Sequence, residues 1–245
     1  MRSGAAPGRV VRRAPAGVLL ALLAVGARAD GTFSGTVGLT SDYVLRGVSQ
    51  TYGGAALQLG ATYQNPLGWF VGAWGSNVDP YPAGKPSREL DLYAGYARAL
   101  GSDFSARVAY THYSYLADPR PTRYDYDELA LTATWVDRLS LTFAYQPNST
   151  AYSRLGYAKD EPALALELSG RWPLPHDVAL TAGAGYYDLQ QLFGVSYWAG
   201  SVGVSYVRGR LKLDLARYFA TGGVARLYED ASADGRVVLS GLIRF

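Results

Sequence analysis

From Thr32 to its last residue, the sequence is a succession of twelve short segments in which every second residue is apolar. A single segment of this kind would also fit a half-buried strand of a soluble protein. Twelve in a row, with no helix-period stretch between them and with alternately short and long connections, are typical of an outer-membrane barrel. The sequence therefore predicts an all-β fold: a closed antiparallel transmembrane β-barrel of 12 strands with both termini in the periplasm.

The connections between the predicted strands form two groups. Short turns are predicted near residues 65–68, 99–103, 136–138, 173–177 and 208–210, and long loops near 47–54, 77–88, 115–125, 147–162, 188–196 and 220–235. The first strand is expected to run from Thr32 to Arg46. In the third strand both faces look apolar, so the sequence leaves open whether Trp69 and Val71 or Phe70 and Trp74 face the lipid.

The first 29 residues differ in composition from the rest. A basic head with arginines at positions 2, 9, 12 and 13 precedes an apolar stretch from Val18 to Val25, and Ala27-Arg28-Ala29 follows. This order is typical of a secretory signal peptide, and the apolar stretch is too short to span a bilayer as a helix. A short buried helix is the alternative. We predict that residues 1–29 are cleaved and that residues 30–245 form the barrel.

The basic character of the whole chain resides in this leader. The chain has 23 Lys and Arg against 20 Asp and Glu, a formal net charge of +3. Five arginines and no acidic residues lie in the leader, so its removal leaves 18 basic against 20 acidic residues. A nucleic-acid partner then lacks an electrostatic basis. The chain has no Cys, which excludes disulfides and Cys-ligated metal clusters.

The polar face of the predicted strands carries the candidate functional residues. They are lumen-lining pore candidates of both signs, namely Asp42, Arg46, Glu89, Asp91, Arg107, Glu128, Glu167, Arg171, Lys212, Asp214, Arg236 and Arg244. Charges are tolerated on that face and costly on the lipid face. Two interpretations remain open: the charges pair across the barrel and make it rigid, or they line a watery path and select solutes. The balance of signs disfavours strong ion selectivity.

Residues 41–51, SDYVLRGVSQT, join the first strand to the first long loop. In a continuous strand Asp42 and Arg46 would point the same way about 13 Å apart, so each needs a partner on a neighbouring strand or on a loop folded inward. Gly47 allows the backbone to bend at the rim. We expect both charged residues to face the lumen near the outer rim and to shape the pore mouth.

This stretch resembles the SDYxxRGxSQT signature of the TorF-type porins, the GCW_CHP family of outer-membrane proteins. Further matches follow in order along the mature chain: GWFVGAWGSNVD at 68–79, ELDLYAGY at 89–96 and YDYDELAL at 124–131. The first motif is the most specific, because the others are partly plain strand pattern. The resemblance implies an outer-membrane barrel that acts as a porin, without a known substrate.

An enzyme would need a catalytic constellation, and the sequence offers few candidates. Its only histidines are His112, near the outer end of the fifth strand, and His176, in a short periplasmic turn. No nucleophile elbow, zinc motif or phosphate-binding loop is present. Asp125, Asp127 and Glu128 could help to hold Ca²⁺, but alternate residues of a strand point to opposite faces. We therefore predict no catalytic residues, no metal, no cofactor and no enzymatic activity.

The sequence is best interpreted as an outer-membrane porin-like channel of a Gram-negative bacterium for passive diffusion of small hydrophilic solutes. The alternative is a narrow or plugged barrel with a structural or surface-interaction role, because a lumen of this size is narrow and inward tyrosines such as Tyr93, Tyr113, Tyr187 and Tyr218 would fill it. The predicted partners are outer-membrane lipid, the solutes, and the barrel-assembly machinery, which would bind the C-terminal strand ending at Phe245.

Overall fold

A computed structural model of the chain describes residues 31–79, 87–116, 124–153, 156–227 and 231–245, without the side chains of 150–159. Residues 31–245 form one compact unit. The predicted signal peptide lies outside the described residues, so its cleavage stays a prediction. No helix in the described ranges combines the length and the apolar character needed to cross a membrane.

Twelve antiparallel strands close into a barrel, which confirms the predicted closed 12-strand fold, and the periplasmic position of both termini stays a prediction. In the order in which they neighbour one another around the barrel, the strands are β1 (Thr32–Thr40), β4 (Ala56–Gln64), β5 (Trp69–Asn77), β6 (Arg88–Ala99), β7 (Phe104–Leu116), β8 (Tyr126–Trp135), β9 (Leu139–Ser153), β10 (Gly156–Pro173), β11 (Val178–Leu189), β12 (Val195–Arg208), β13 (Leu211–Ala220) and β14 (Val237–Arg244). The barrel closes where β14 pairs with β1, and Gly35 and Phe245 exchange two backbone hydrogen bonds there.

Successive side chains alternate between an exposed apolar outer surface and a polar interior. On the outer surface Leu131 is 56% exposed and Leu166 is 47% exposed. The structure also shows which face of the third predicted strand, β5, points outward. Trp69 and Val71 are exposed on the outside, whereas Phe70 is buried inside. An apolar belt of this extent requires lipid rather than water as its surroundings.

The two rims of the barrel differ in the length of their connections. Tight turns join β4–β5, β6–β7, β8–β9, β10–β11 and β12–β13 at one end, which we call the short-turn rim. At the other end, the long-loop rim, the connections include helices α1 (Gln190–Phe193) and α2 (Gly222–Leu227). The loop predicted at 147–162 is wrong for most of its length, because β9 continues to Ser153 and β10 begins at Gly156.

The first barrel strand is shorter than predicted. It ends at Thr40 rather than Arg46, and a two-stranded hairpin follows, formed by β2 (Val44–Leu45) and β3 (Val48–Ser49). Arg46 and Gly47 form its turn with φ angles of 51° and 77°. The carboxylate of Asp42 accepts hydrogen bonds from the Ser49 and Thr51 hydroxyls, which holds the returning chain against the outgoing chain. Local side-chain bonds of this kind compete with the barrel ladder and end the strand.

Candidate functional site

The hairpin of residues 41–53 folds into the barrel and contacts the wall opposite its own strand. Its tip, Arg46, binds Glu128 on β8 and Glu167 on β10. Counted around the barrel from β1, β8 is the fifth strand in one direction and β10 is the fifth in the other. The tip therefore reaches the side of the lumen farthest from the strand to which the hairpin is attached. We call residues 41–53 the inward hairpin.

Arg46 anchors this hairpin through charge-assisted hydrogen bonds. Its Nη1 lies 2.7 Å from Glu128 Oε2, and its Nε lies 3.3 Å from Glu167 Oε1. The guanidinium also lies 5.9 Å from the centre of the Tyr187 ring, a cation–π distance. Burial lowers the pKa of Arg46, but Glu128 and Glu167 more than offset that effect, so the pKa lies well above its ordinary value. The anchor is therefore permanently charged at any physiological pH.

Backbone contacts hold the same tip in place. The Tyr197 hydroxyl donates to the Arg46 carbonyl at 3.1 Å, and the Ala233 amide donates to the Gly47 carbonyl. A Cβ on Gly47 would lie 2.5 Å from the Cβ of Ala199, and the residue also has a left-handed φ. Only glycine fits both requirements without displacement of the tip.

Asp42 closes the base of the inward hairpin rather than standing on a continuous strand beside Arg46. Besides its bonds to Ser49 and Thr51, it forms an ion pair at 3.3 Å with Arg236, which precedes β14. The prediction that Asp42 and Arg46 point the same way from one strand is thus wrong. The alternative kept open in the sequence, a loop folded inward, is the one that supplies their partners. Both residues lie on the lumen side near the long-loop rim.

Two further predicted residues, Glu89 and Asp91, project from β6 into the long-loop half of the lumen. Glu89 is 2% exposed and Asp91 is 8% exposed. The Tyr43 hydroxyl, on the inward hairpin, donates to Glu89 Oε1 at 3.3 Å. Burial and the neighbouring carboxylates of Glu89 and Asp91 raise the pKa of Tyr43 well above its ordinary value, so this phenol is neutral and remains a donor.

The remaining predicted residues lie apart from this cluster. Lys212 and Asp214, on β13, form an ion pair of 2.8 Å. Arg107 faces inward, stacks 4.4 Å from the centre of the Phe70 ring and is exposed to solvent. Arg171 is half-buried on β10, near the short-turn rim. The charged side chains of the short-turn half are thus more accessible than those of the long-loop half, which the inward hairpin partly fills.

Sequence reasoning missed the residues that make the inward hairpin fit. They are Tyr43, Ser49, Thr51 and Tyr197, which either form the hairpin or receive it. Gly47 and Tyr187 were expected to bend the chain and to fill the lumen, and the structure adds their contacts with the hairpin tip. One signal was present: the apolar alternation fails after Thr40, where Ser41-Asp42 interrupts the outer face. The partners on β10 to β12 carry no such signal, because inward Tyr and Glu residues occur throughout the sequence.

His112 belongs to the outer surface, as expected of a boundary-zone residue. Its Nδ1 lies 2.8 Å from Asp127 Oδ1, and Asn148 also donates to that carboxylate. Asp127 is therefore on the outside while the adjacent Glu128 is inside, so the two acids cannot share an ion. Within the described ranges, no three acidic or histidine side chains converge as a metal site requires.

Comparison with known proteins supports the family and the architecture. A family model described as "Bacterial protein of unknown function (Gcw_chp)" matches residues 24–238. The NanC porin is 9% identical with a TM-score of 0.56, and the KdgM porin is 13% identical with a TM-score of 0.53. Each match covers 86% of this chain and 98% of the other. No curated protein matches the sequence significantly. At these identities the likeness shows a porin-like barrel fold, and the TorF-type designation stays a prediction.

Proposed function

This chain belongs to the Gcw_chp family of bacterial proteins of unknown function, and we propose that it is an outer-membrane channel through which small hydrophilic solutes diffuse passively. One observation carries the proposal: the closed barrel is apolar outside and charged inside, and inward-facing Arg107 is exposed to solvent. An exposed arginine on the inner face supports the entry of water from the short-turn rim. A hydrated, charged lumen is the property that a solute channel needs.

The outer surface supports a position in the outer membrane of a Gram-negative bacterium. Leucines such as Leu131 and Leu166 cover it, and closed strand barrels are one of the two ways in which chains span bilayers. The short turns and both termini would face the periplasm, by the usual arrangement of such barrels. The barrel-assembly machinery would then bind the C-terminal strand β14, which is followed by Phe245. The solved porins of similar fold favour the same location.

The balance of acidic and basic side chains in the lumen favours solutes without a strong net charge. Acidic residues Asp42, Glu89, Asp91, Glu128, Glu167 and Asp214 share the interior with basic residues Arg46, Arg107, Arg171, Lys212 and Arg236. One similar structure is described as the KdgM porin in complex with disordered oligogalacturonate, which is an acidic saccharide. In this chain several of the bases are already paired with acids. We therefore propose no polyanionic substrate.

Single-channel recording in planar bilayers tests the proposal. The mature protein is expected to give stepwise conductance with weak ion selectivity, and liposomes that contain it should swell in solutions of small sugars. An empty-detergent control and a heat-denatured sample set the background. Absence of steps and of swelling, with correctly folded protein, would contradict the channel.

The inward hairpin specifically favours a second candidate, a barrel closed by its own first loop. Arg46 binds β8 and β10, the two strands that flank β9 on the far wall, so the hairpin crosses the lumen. Replacing residues 43–50 by a Gly-Ser linker of equal length separates the two candidates. If only the linker variant conducts, the native barrel is plugged; if both conduct, the hairpin is a constriction beside an open path.

A further inference from the structure

The carboxylates of Glu89 and Asp91 are buried with incomplete hydrogen bonding. Glu89 Oε2 and Asp91 Oδ1 have no hydrogen-bond partner among the described residues. Both residues are more than nine-tenths buried, and they stand two positions apart on the same inner face of β6. A buried carboxylate oxygen without a partner is costly, because desolvation is not repaid.

Neither carboxylate is neutralised by a basic side chain in the described part of the chain. The ion pairs found inside the barrel among the described residues join Arg46 to Glu128 and Glu167, Arg236 to Asp42, and Lys212 to Asp214. Tyr43 and Tyr115, which donate to Glu89, are neutral partners, and the carboxyl groups of Glu89 and Asp91 lie within hydrogen-bond reach of each other. Two adjacent acids in a dry environment require a positive charge or a proton from outside the protein.

Aromatic rings surround this pair of acids. The register places Asp91 opposite Trp74 on β5 and opposite Tyr113 on β7, and it places Glu89 opposite Tyr115. Tyr113 stacks on Tyr126 with ring centres 4.4 Å apart, and Tyr43 packs edge-on against Trp74 at 5.4 Å. Carboxylates and aromatic rings in one place are the two features that recognise organic ammonium groups.

We infer that Glu89 and Asp91, with the rings of Trp74, Tyr43 and Tyr113, form a binding site for a monovalent cation. Within the described residues no third acid or histidine joins the pair, which disfavours a divalent metal held by protein ligands. The same charge could come from potassium or from the ammonium group of a solute. The inference rests on the proposed channel, since the lumen is the route of entry, and it names a class of solute that the channel would retain.

Calorimetric titration of the folded mature protein tests the site without any measurement of transport. Methylammonium chloride and potassium chloride are the two ligands, at constant ionic strength and neutral pH. Saturable heat with either ligand supports the site, and the tighter ligand identifies the source of the charge. Glu89→Gln and Asp91→Asn should each weaken the affinity about tenfold or more, since each loses a charged hydrogen bond. Trp74→Leu should weaken methylammonium more than potassium.

Asp214→Asn is the matched control, because it removes an inward carboxylate that Lys212 already neutralises. It should leave the affinity unchanged. Gel migration before and after boiling checks that each variant is folded, and Asp91→Asn decides the matter if Glu89→Gln fails to fold. Absence of saturable heat with both ligands overturns the inference and assigns the neutralising charge to a proton. Saturable binding in a barrel without conductance or swelling would overturn the channel alone.

Discussion

Replacing Arg46 by Gln should release the inward hairpin from the far wall of the barrel. The change removes the positive charge and keeps a side chain of similar length. It leaves Glu128, whose side chain is 8% exposed, without the positive charge at 2.7 Å and with the neutral Gln146 amide as its hydrogen-bond donor. A buried acid that loses its neutralising cation is strongly destabilised, so the docked position of the hairpin loses its main anchor.

The structure sets the size of this effect. Breaking a buried ion pair by removal of one partner costs about 3–5 kcal/mol. The second pair adds less than about 1 kcal/mol, because Glu167 is 32% exposed and its distance is 3.3 Å. Even the lower figure of about 3 kcal/mol reduces the ratio of docked to released hairpins about a hundredfold. A hairpin that is docked nearly always would then be released for an appreciable fraction of the time.

Single-channel recording measures the consequence as larger or noisier conductance steps in Arg46→Gln than in the native protein. Arg107→Gln is the matched control, since it also removes one inward positive charge but has no role in the hairpin. A change in reversal potential alone, equal in the two variants, would show that Arg46 acts only as a lumen charge. Conductance identical to that of the native protein, with the hairpin still protected from protease, would refute the reasoning about the anchor.

The pH dependence of this anchor follows from the raised pKa of Arg46. Stabilisation by a group with a raised pKa is complete below its ordinary value and is lost only as pH rises through the raised one. That value lies well above the ordinary one for arginine, so alkaline conditions up to about pH 11 should not release the hairpin through Arg46. Protease protection of residues 41–53 at pH 7 and pH 10 checks this, and greater cleavage at pH 10 in a folded barrel would contradict it.

Four further expectations concern the barrel as a whole. Leu168→Arg, on the lipid face, should cost about 2–4 kcal/mol near the midplane, whereas Ser169→Arg, exposed on the inner face, should be tolerated; equal folding yields would mean that the register is wrong. Gly47→Val should undock the hairpin like Arg46→Gln, because its side chain would overlap Ala199, and native-like conductance would count against that contact. The folded protein should migrate differently on a detergent gel before and after boiling, and identical migration would argue against a closed barrel. N-terminal sequencing of membrane-extracted protein should begin at Asp30, and a retained Met1 would contradict cleavage of the leader.

The structure also changes which inner positions we expect to tolerate an introduced charge. Sequence alternation alone treats Thr132 on β8 and Ala165 on β10 as equivalent lumen positions. Ala165 does face inward, but it is 4% exposed and packs with Ala144, Tyr187 and Tyr197. An arginine there would meet packed side chains rather than water. Facing the lumen and being hydrated are therefore separate properties in a barrel whose lumen is partly filled.

The sequence by itself determined the barrel: its strand number, the outward face of each clear strand and the position of its tight turns. It could do so because each strand must present an apolar residue to lipid at every second position, and this rule acts locally. The orientation of β5 could not be read in this way, because Phe70 and Trp74 are apolar residues of the inner face.

Only the tertiary structure decided what occupies the lumen. The motif at 41–51 looked like the end of a strand, yet Asp42 folds it back and Arg46 reaches Glu128 and Glu167 across the barrel. The pairing of these residues depends on which strands lie opposite each other once the barrel has closed. The spacing of these residues along the chain does not show which strands face each other across the lumen. Closure of twelve strands into a barrel decides this.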